Sequence, residues 1–293
     1  MKNTLLVVGL WFAFSGCEKK IDIKLKDEST KVVIEASIEN DQAPFVTLMR
    51  SFGYFSEITS SQLSQAFIHN AEVYISNGAL THKLKEYSVP LTPAITYYYY
   101  STDSSSLSTA FMGELNHSYS LRVVSEGKEY AATTTIPKIT KKIDSLWWKF
   151  PPGATDTSKV VVMVRVTDPP GFGDYIRYYT KINRQAVFLP PVASVFDDLF
   201  IDGTTYEVQL QPGIDRNSDS AENDFFFRGD TVTFKLSNID RTTFDFWRTW
   251  EFSYSSIGNP FSTPTKIIGN ISNNALGYFA GYASQYRTLI IPH

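Results

Sequence analysis

The one residue that sits at a spacing diagnostic of chemistry is Cys17, the single cysteine of the 293-residue chain, placed directly after Ser15-Gly16. Lys2 and the apolar run Leu5 to Phe14 precede it, giving a positive region, a short hydrophobic region and small residues before a cleavage point. This order reads as a lipoprotein box: residues 1–16 are a removable signal, and cleavage leaves Cys17 first, its sulfur and amine carrying acyl chains. Each buried CH₂ contributes about 0.8 kcal/mol, so several chains on one residue anchor stably where one chain binds only marginally. The competing reading is an ordinary secretory signal that contains a cysteine, and Phe14, where such boxes more often carry an aliphatic residue, favours it. A membrane span needs roughly 20 apolar residues, and Glu18-Lys19-Lys20 ends this run too early. A lone thiol also excludes an internal disulfide and a multi-cysteine metal site.

The remaining candidates are weaker. Asp215-x-Asn217-x-Asp219 opens like a calcium loop, but Ser220 stands at the glycine position and Phe226 where the bidentate Glu belongs. Asp197, Asp198 and Asp202 read as a solvated turn ending in Asp202-Gly203. His69, His82 and His117 each lie in polar or turn-like sequence and read as surface or turn histidines, and His293 is the last residue. No nucleophile elbow, zinc-binding helix or phosphate-binding glycine loop is present, and Gly171-Phe172-Gly173 lacks a third glycine. The expectation is therefore no catalytic residue, no cofactor and no metal. One aromatic group stands out for recognition: Phe52, Tyr54 and Phe55 follow a strand around Gly53. Rigid aromatics on a β scaffold make good interface anchors, so these three are candidate partner-binding residues; the alternative is that the rings plug the end of a sandwich.

The elements that must position these residues are strands. Residues 17–30 are a charged tether, and from Lys31 the period is two, with Val32, Ile34, Ala36 and Ile38 on one face. Short strands recur at Phe45 to Leu48, Ala71 to Ser76, Tyr97 to Tyr100, Tyr119 to Val124 and Tyr130 to Ile136, with a hairpin turn at Glu126-Gly127. Residues 31–137 thus predict an immunoglobulin-like β-sandwich closed by Pro137. Residues 138–293 predict a second β-rich domain, set off by Pro137-Lys138 and Lys141-Lys142. Its strands are Ile143 to Trp148, Val160 to Val166, Tyr175 to Lys181, Thr205 to Leu210, Thr231 to Leu236, Leu276 to Tyr282 and Arg287 to Ile290. Phe244, Trp247 and Trp250 recur at spacing three after Asp240, which predicts an amphipathic helix over 241–252 capped by Asp240, its aromatic face on the sheet.

Composition agrees with a folded protein. Aromatics make up 15 % and charged residues 19 %, which leaves ample apolar surface to bury. A net charge of −3 without long runs of one sign argues against a nucleic-acid partner.

Several stretches resemble one family along the whole mature chain. They are CEKKIDIKL from Cys17, PFVTLMRSFGYFS (Pro44 to Ser56), HSYSLRVVSEGKEYAATTTIP (His117 to Pro137), IDSLWWK (Ile143 to Lys149), VTDPPGFGDYIRYY (Val166 to Tyr179), FDDLFIDG (Phe196 to Gly203), GDTVTFKL (Gly229 to Leu236) and ALGYFAGYAS (Ala275 to Ser284). In these the chain is similar to the Bacteroidota outer-membrane lipoproteins catalogued as domain of unknown function 4249. The resemblance implies a lipid-anchored outer-membrane protein accompanying a TonB-dependent β-barrel transporter, with no catalytic residues to carry over. The acidic run that follows the lipidated cysteine in many surface-exposed lipoproteins is replaced by Glu18-Lys19-Lys20, which leaves the periplasmic and cell-surface faces both open. The functional expectation is a non-catalytic, membrane-tethered binding or accessory module. The alternatives are an envelope hydrolase with a dispersed site and a structural subunit of an outer-membrane assembly.

Overall fold

The computed structural model describes residues 30–53, 59–93, 95–216, 225–257, 259, 262–263 and 265–293. Among these residues the chain is mainly β, with two α-helices. In order, the first block contains β1 (Val32–Glu39), β2 (Phe45–Arg50), α1 (Ser60–Ala66), β3 (Glu72–Ser76), β4 (Thr81–Lys83), β5 (Lys85–Thr92), β6 (Ile95–Ser101), β7 (His117–Ser125) and β8 (Lys128–Ile136). The second block contains β9 (Lys142–Lys149), β10 (Lys159–Thr167), β11 (Tyr175–Ile182), β12 (Val195–Phe196), β13 (Thr205–Leu210), β14 (Phe226–Phe227), β15 (Thr231–Ile239), α2 (Arg241–Ser255) and β16 (Leu276–Ile290).

One eight-stranded sheet, in the order β12-β11-β15-β16-β1-β2-β6-β5, carries two smaller four-stranded sheets. The sheet β4-β3-β7-β8 packs on its β1 side, enclosing Ile34, Val46, Val73, Leu121, Val123 and Ile136. The sheet of β9, β10, β13 and β14 packs on its β11 and β15 side, enclosing Val162, Val164, Ile176, Phe226, Phe234 and Leu236. Strand alternation explains both cores, because period-two apolar residues all leave the sheet on one face. In β1, for example, Ile34, Ala36 and Ile38 are the buried positions.

The first core draws on residues 34–136 together with Phe279 and Ala283 of β16, and the hydrogen-bonded large sheet contains strands from both sides of residue 137. β1 pairs in parallel with β16, Val33 to Glu39 lying against Leu276 to Tyr282. The rest of β16 pairs antiparallel with β15, as far as Ile290 opposite Thr231. β16 thus serves both cores, giving Phe279 and Ala283 to the first and Leu289 to the second. It is one strand where the sequence reads two, because residues 279–284 are buried on both faces and show no alternation. Gly281 makes this possible: a Cβ there would lie 2.5 Å from the carbonyl oxygen of Thr135 on β8.

Three further points differ from the sequence reading. α1 is an unforeseen second helix; Thr59 caps it through a capping box with Gln62, but it has a single buried residue, Ala66, and so no apolar stripe. His82 is a core histidine and not a surface one, at 1 % exposure, with Nδ1 bonded to Thr109 Oγ1 (2.9 Å) and Nε2 accepting from Asp103 N–H (3.0 Å). Lys141, read as part of a linker pair, is fully buried. α2 follows expectation, with Asp240 accepting from the Thr243 N–H, and runs on to Ser255. Glu126 and Gly127 both have positive φ (52° and 73°), as the tight hairpin between β7 and β8 requires.

Candidate functional site

The second sandwich stays open along one side, where the short edge strand β12 of the large sheet and the edge strand β13 of the small one fail to meet. The gap is a cavity of about 890 Å³. Val164 and Val166 of β10, Ile176 and Tyr178 of β11, and Phe234 of β15 form its floor and walls, with Phe244 of α2 closing one end. Ordinary strand alternation puts these side chains inward; the cavity exists because no strand bridges the two edges. Burial pushes the hydroxyls of the two cavity tyrosines, Tyr178 and Tyr206, up to about 12, so both are neutral donors or acceptors at physiological pH. Tyr178 already accepts from the Gln211 N–H at 3.3 Å.

The charged side chains of the lining are Asp197, Glu207 and Arg248. Glu207 is exposed and paired with Arg165 across β13 and β10. Arg248 is exposed on α2 with its guanidinium 5.7 Å from the Phe244 ring centre. A buried clamp fixes α2 in this position. Glu251 of α2 accepts from both the N–H (3.0 Å) and the hydroxyl of Ser194 beside β12, and Arg177 of β11 donates to the same hydroxyl at 3.0 Å. The Arg177 guanidinium lies 3.3 Å from the Trp247 ring centre, so the helix is tied to the sheet by charge, hydrogen bond and stacking together. Ser194 is fully buried, which suits a clamp and not a nucleophile.

The loops at the cavity's end carry the second feature. The model of the family described as domain of unknown function (DUF4249) matches residues 18–288. The chain belongs to that family. No curated protein matches it.

In this DUF4249 chain the segment Asp168 to Asp174, leaving β10, meets the turn Asp197 to Gly203 that precedes β13. Carboxylate oxygens of Asp168, Asp198 and Asp202 lie within 4.8 Å of one another. Asp198 Oδ2 accepts from the N–H groups of Gly173 (2.8 Å) and Asp174 (3.0 Å), and Asp202 Oδ1 accepts from Gly171 N–H (2.6 Å). Gly171 and Gly173 sit at φ of 121° and 114°, a region other residues rarely adopt, which lets the loop amides turn toward the acids. The turn at Asp198 is thus buried and bonded, not solvated as the sequence suggests. Lys141 Nζ lies 3.4 Å from Asp168 Oδ1. Burial pushes the Asp168 carboxyl above the usual carboxylate range, Lys141 partly opposes this, and Asp174 and Asp198 add to it. Beside this cluster the same loops expose Phe172, Leu199 and Phe200, the last at 96 %.

The other sequence candidates are dispersed. Cys17, Tyr54, Phe55, Asn217 and Asp219 lie outside the described residues. Phe52 is half-buried in the irregular segment after β2 and is not part of the cavity lining. His69 pairs with Glu86, and His117 bonds the Asn77 carbonyl at 2.7 Å. Sequence reasoning grouped Asp198 and Asp202 with Asp197 in one turn but had no signal joining Asp168 to them, since some 30 residues separate the two loops.

Proposed function

We propose that this protein is a non-catalytic, lipid-anchored module of the cell envelope that captures a ligand with an apolar body and an anionic end. The observation that carries the reading is the cavity of about 890 Å³, walled by aliphatic and aromatic side chains, with Arg248 as the cation of its lining. Such volumes fall in the range of small-molecule sites, in which apolar walls supply affinity and a few polar groups set orientation. The Cys17 box supports a membrane tether at the outer membrane, and no helix among the described residues is long and apolar enough to cross a membrane. Delivery to a TonB-dependent β-barrel is the role in which such a tethered module serves best, with Phe52, Tyr54 and Phe55 as the contact offered to the barrel.

The test is to purify the protein from its own membranes, extract it with organic solvent and analyse the extract by mass spectrometry beside a Val208→Trp variant. Val208 lines the cavity from an exposed position on β13, so tryptophan there fills space without disturbing the core. An apolar anionic compound present in the wild-type extract and lost from the variant is the expected result. Equal amounts from both, or no compound from either, overturn the reading.

A further inference from the structure

We infer that Asp168, Asp198 and Asp202 form a binding site for one calcium ion that staples the end of β10 to the turn before β13. Three acids brought together are not in themselves a site. The distinguishing observation is Asp168, 2 % exposed and aimed at the other two carboxylates, with neither of its oxygens accepting a hydrogen bond. Buried carboxylates are ordinarily bonded several times over, because an unsatisfied buried charge is expensive. Asp198 and Asp202 spend one oxygen each on loop amides, and Oδ1 of Asp198 and Oδ2 of Asp202 take no hydrogen bond among the described residues. Each of the three therefore has an oxygen to give.

Charge points the same way. Lys141, whose ammonium also lacks a hydrogen bond, neutralises one of the three negative charges, which leaves two for a divalent ion. The donors are all oxygen, which selects a hard cation over zinc or copper. Coordination preference then favours calcium. Calcium accepts irregular all-oxygen coordination by several carboxylates, whereas magnesium demands near-ideal octahedral geometry and keeps its waters, and three carboxylates within 4.8 Å of one another suit the former. The site uses none of Asp215 to Asp219, where the sequence shows only a broken calcium loop.

The test is calorimetric titration of the full-length, detergent-solubilised protein with calcium chloride after chelator treatment, with melting followed in parallel. The expected result is one saturable site with Kd at or below about 10⁻³ M, the weak end for extracellular calcium modules, and magnesium bound at least about tenfold more weakly. At calcium ten times Kd, Tm should rise by about 3 °C or more. Asp168→Asn tests the buried ligand. Because that variant risks misfolding, Asp202→Asn, at a half-buried position, provides the second arm: it should keep the calcium-free Tm and lose at least about tenfold in affinity. Absence of saturable binding by wild type up to about ten times that Kd overturns the proposal. Wild-type affinity in Asp202→Asn also overturns it, by placing the ion elsewhere, and equal affinity for magnesium overturns the assignment to calcium.

Discussion

Lys141 Nζ and Asp168 Oδ1 face each other at 3.4 Å with both side chains fully withdrawn from solvent, and neither group makes a hydrogen bond. Lys141 lies just before β9 and Asp168 just after β10, so the pair joins the two ends of one hairpin at the loops beside the cavity. Removing one member of such a pair leaves a buried charge uncompensated and costs about 3–5 kcal/mol, while removing both is far cheaper. With divalent ions chelated, Lys141→Met should lose stability on that scale in denaturant unfolding, and Lys141→Met/Asp168→Asn should recover most of it. Additive losses in the double variant would show that the pair is not coupled.

His82 gives the protein an acid-sensitive point. Burial holds its imidazole below the ordinary value of 6.5, and its Nε2 accepts the Asp103 N–H, a bond that a protonated ring cannot make. The unfolded chain therefore takes up the proton first as pH falls, so the contribution is complete above pH 6.5 and is lost as pH drops through the lowered folded value. Tm measured from pH 7.5 down to 5 should fall more steeply for wild type than for His82→Gln. Parallel curves would contradict this assignment.

Much of the fold is legible in sequence because it rests on local alternation. Val32 to Ile38 and Thr231 to Leu236 announce their buried faces, Val160 to Val166 announces itself by its unbroken valine-rich run, and Asp240 with Phe244 announces α2. What escapes notice is non-local or two-sided. Nothing near Val33 foretells its parallel pairing with Leu276, and residues 279–284 hide their strand by being covered on both faces. β5 escapes for the opposite reason, since Lys85 to Thr92 is almost wholly exposed and includes Pro90. The acidic cluster escapes because its geometry comes from two loops meeting, and Lys141 escapes because a lysine beside another lysine reads as surface.

The passage of β8 over β16 depends on Gly281, where a Cβ would meet the Thr135 carbonyl at 2.5 Å. Overpacking of this kind typically costs about 1–3 kcal/mol. Gly281→Ala should lower stability by that amount in a urea melt. A neutral result would mean that β8 and β16 are not held this closely.

Anchorage and docking can be tested apart. Cys17→Ala should abolish lipidation and release the protein from the membrane, and a variant still membrane-bound after a salt wash would contradict the anchor.

Replacing Tyr54 and Phe55 by alanine should weaken co-purification with an outer-membrane barrel while leaving Tm nearly unchanged. A loss of roughly 3 kcal/mol or more would instead assign these rings to the core of the first sandwich.

The central claim is that the gap between β12 and β13 holds an apolar ligand with an anionic end. Titration with anilinonaphthalene sulfonate, a fluorescent probe of that chemistry, tests it most directly. One saturable site per chain with blue-shifted emission is predicted, weakened at least about tenfold, or 1.4 kcal/mol, by Val208→Trp and also by Arg248→Ala, with Tm unchanged in both. Wild-type binding in both variants, or no saturable binding at all, would contradict the account.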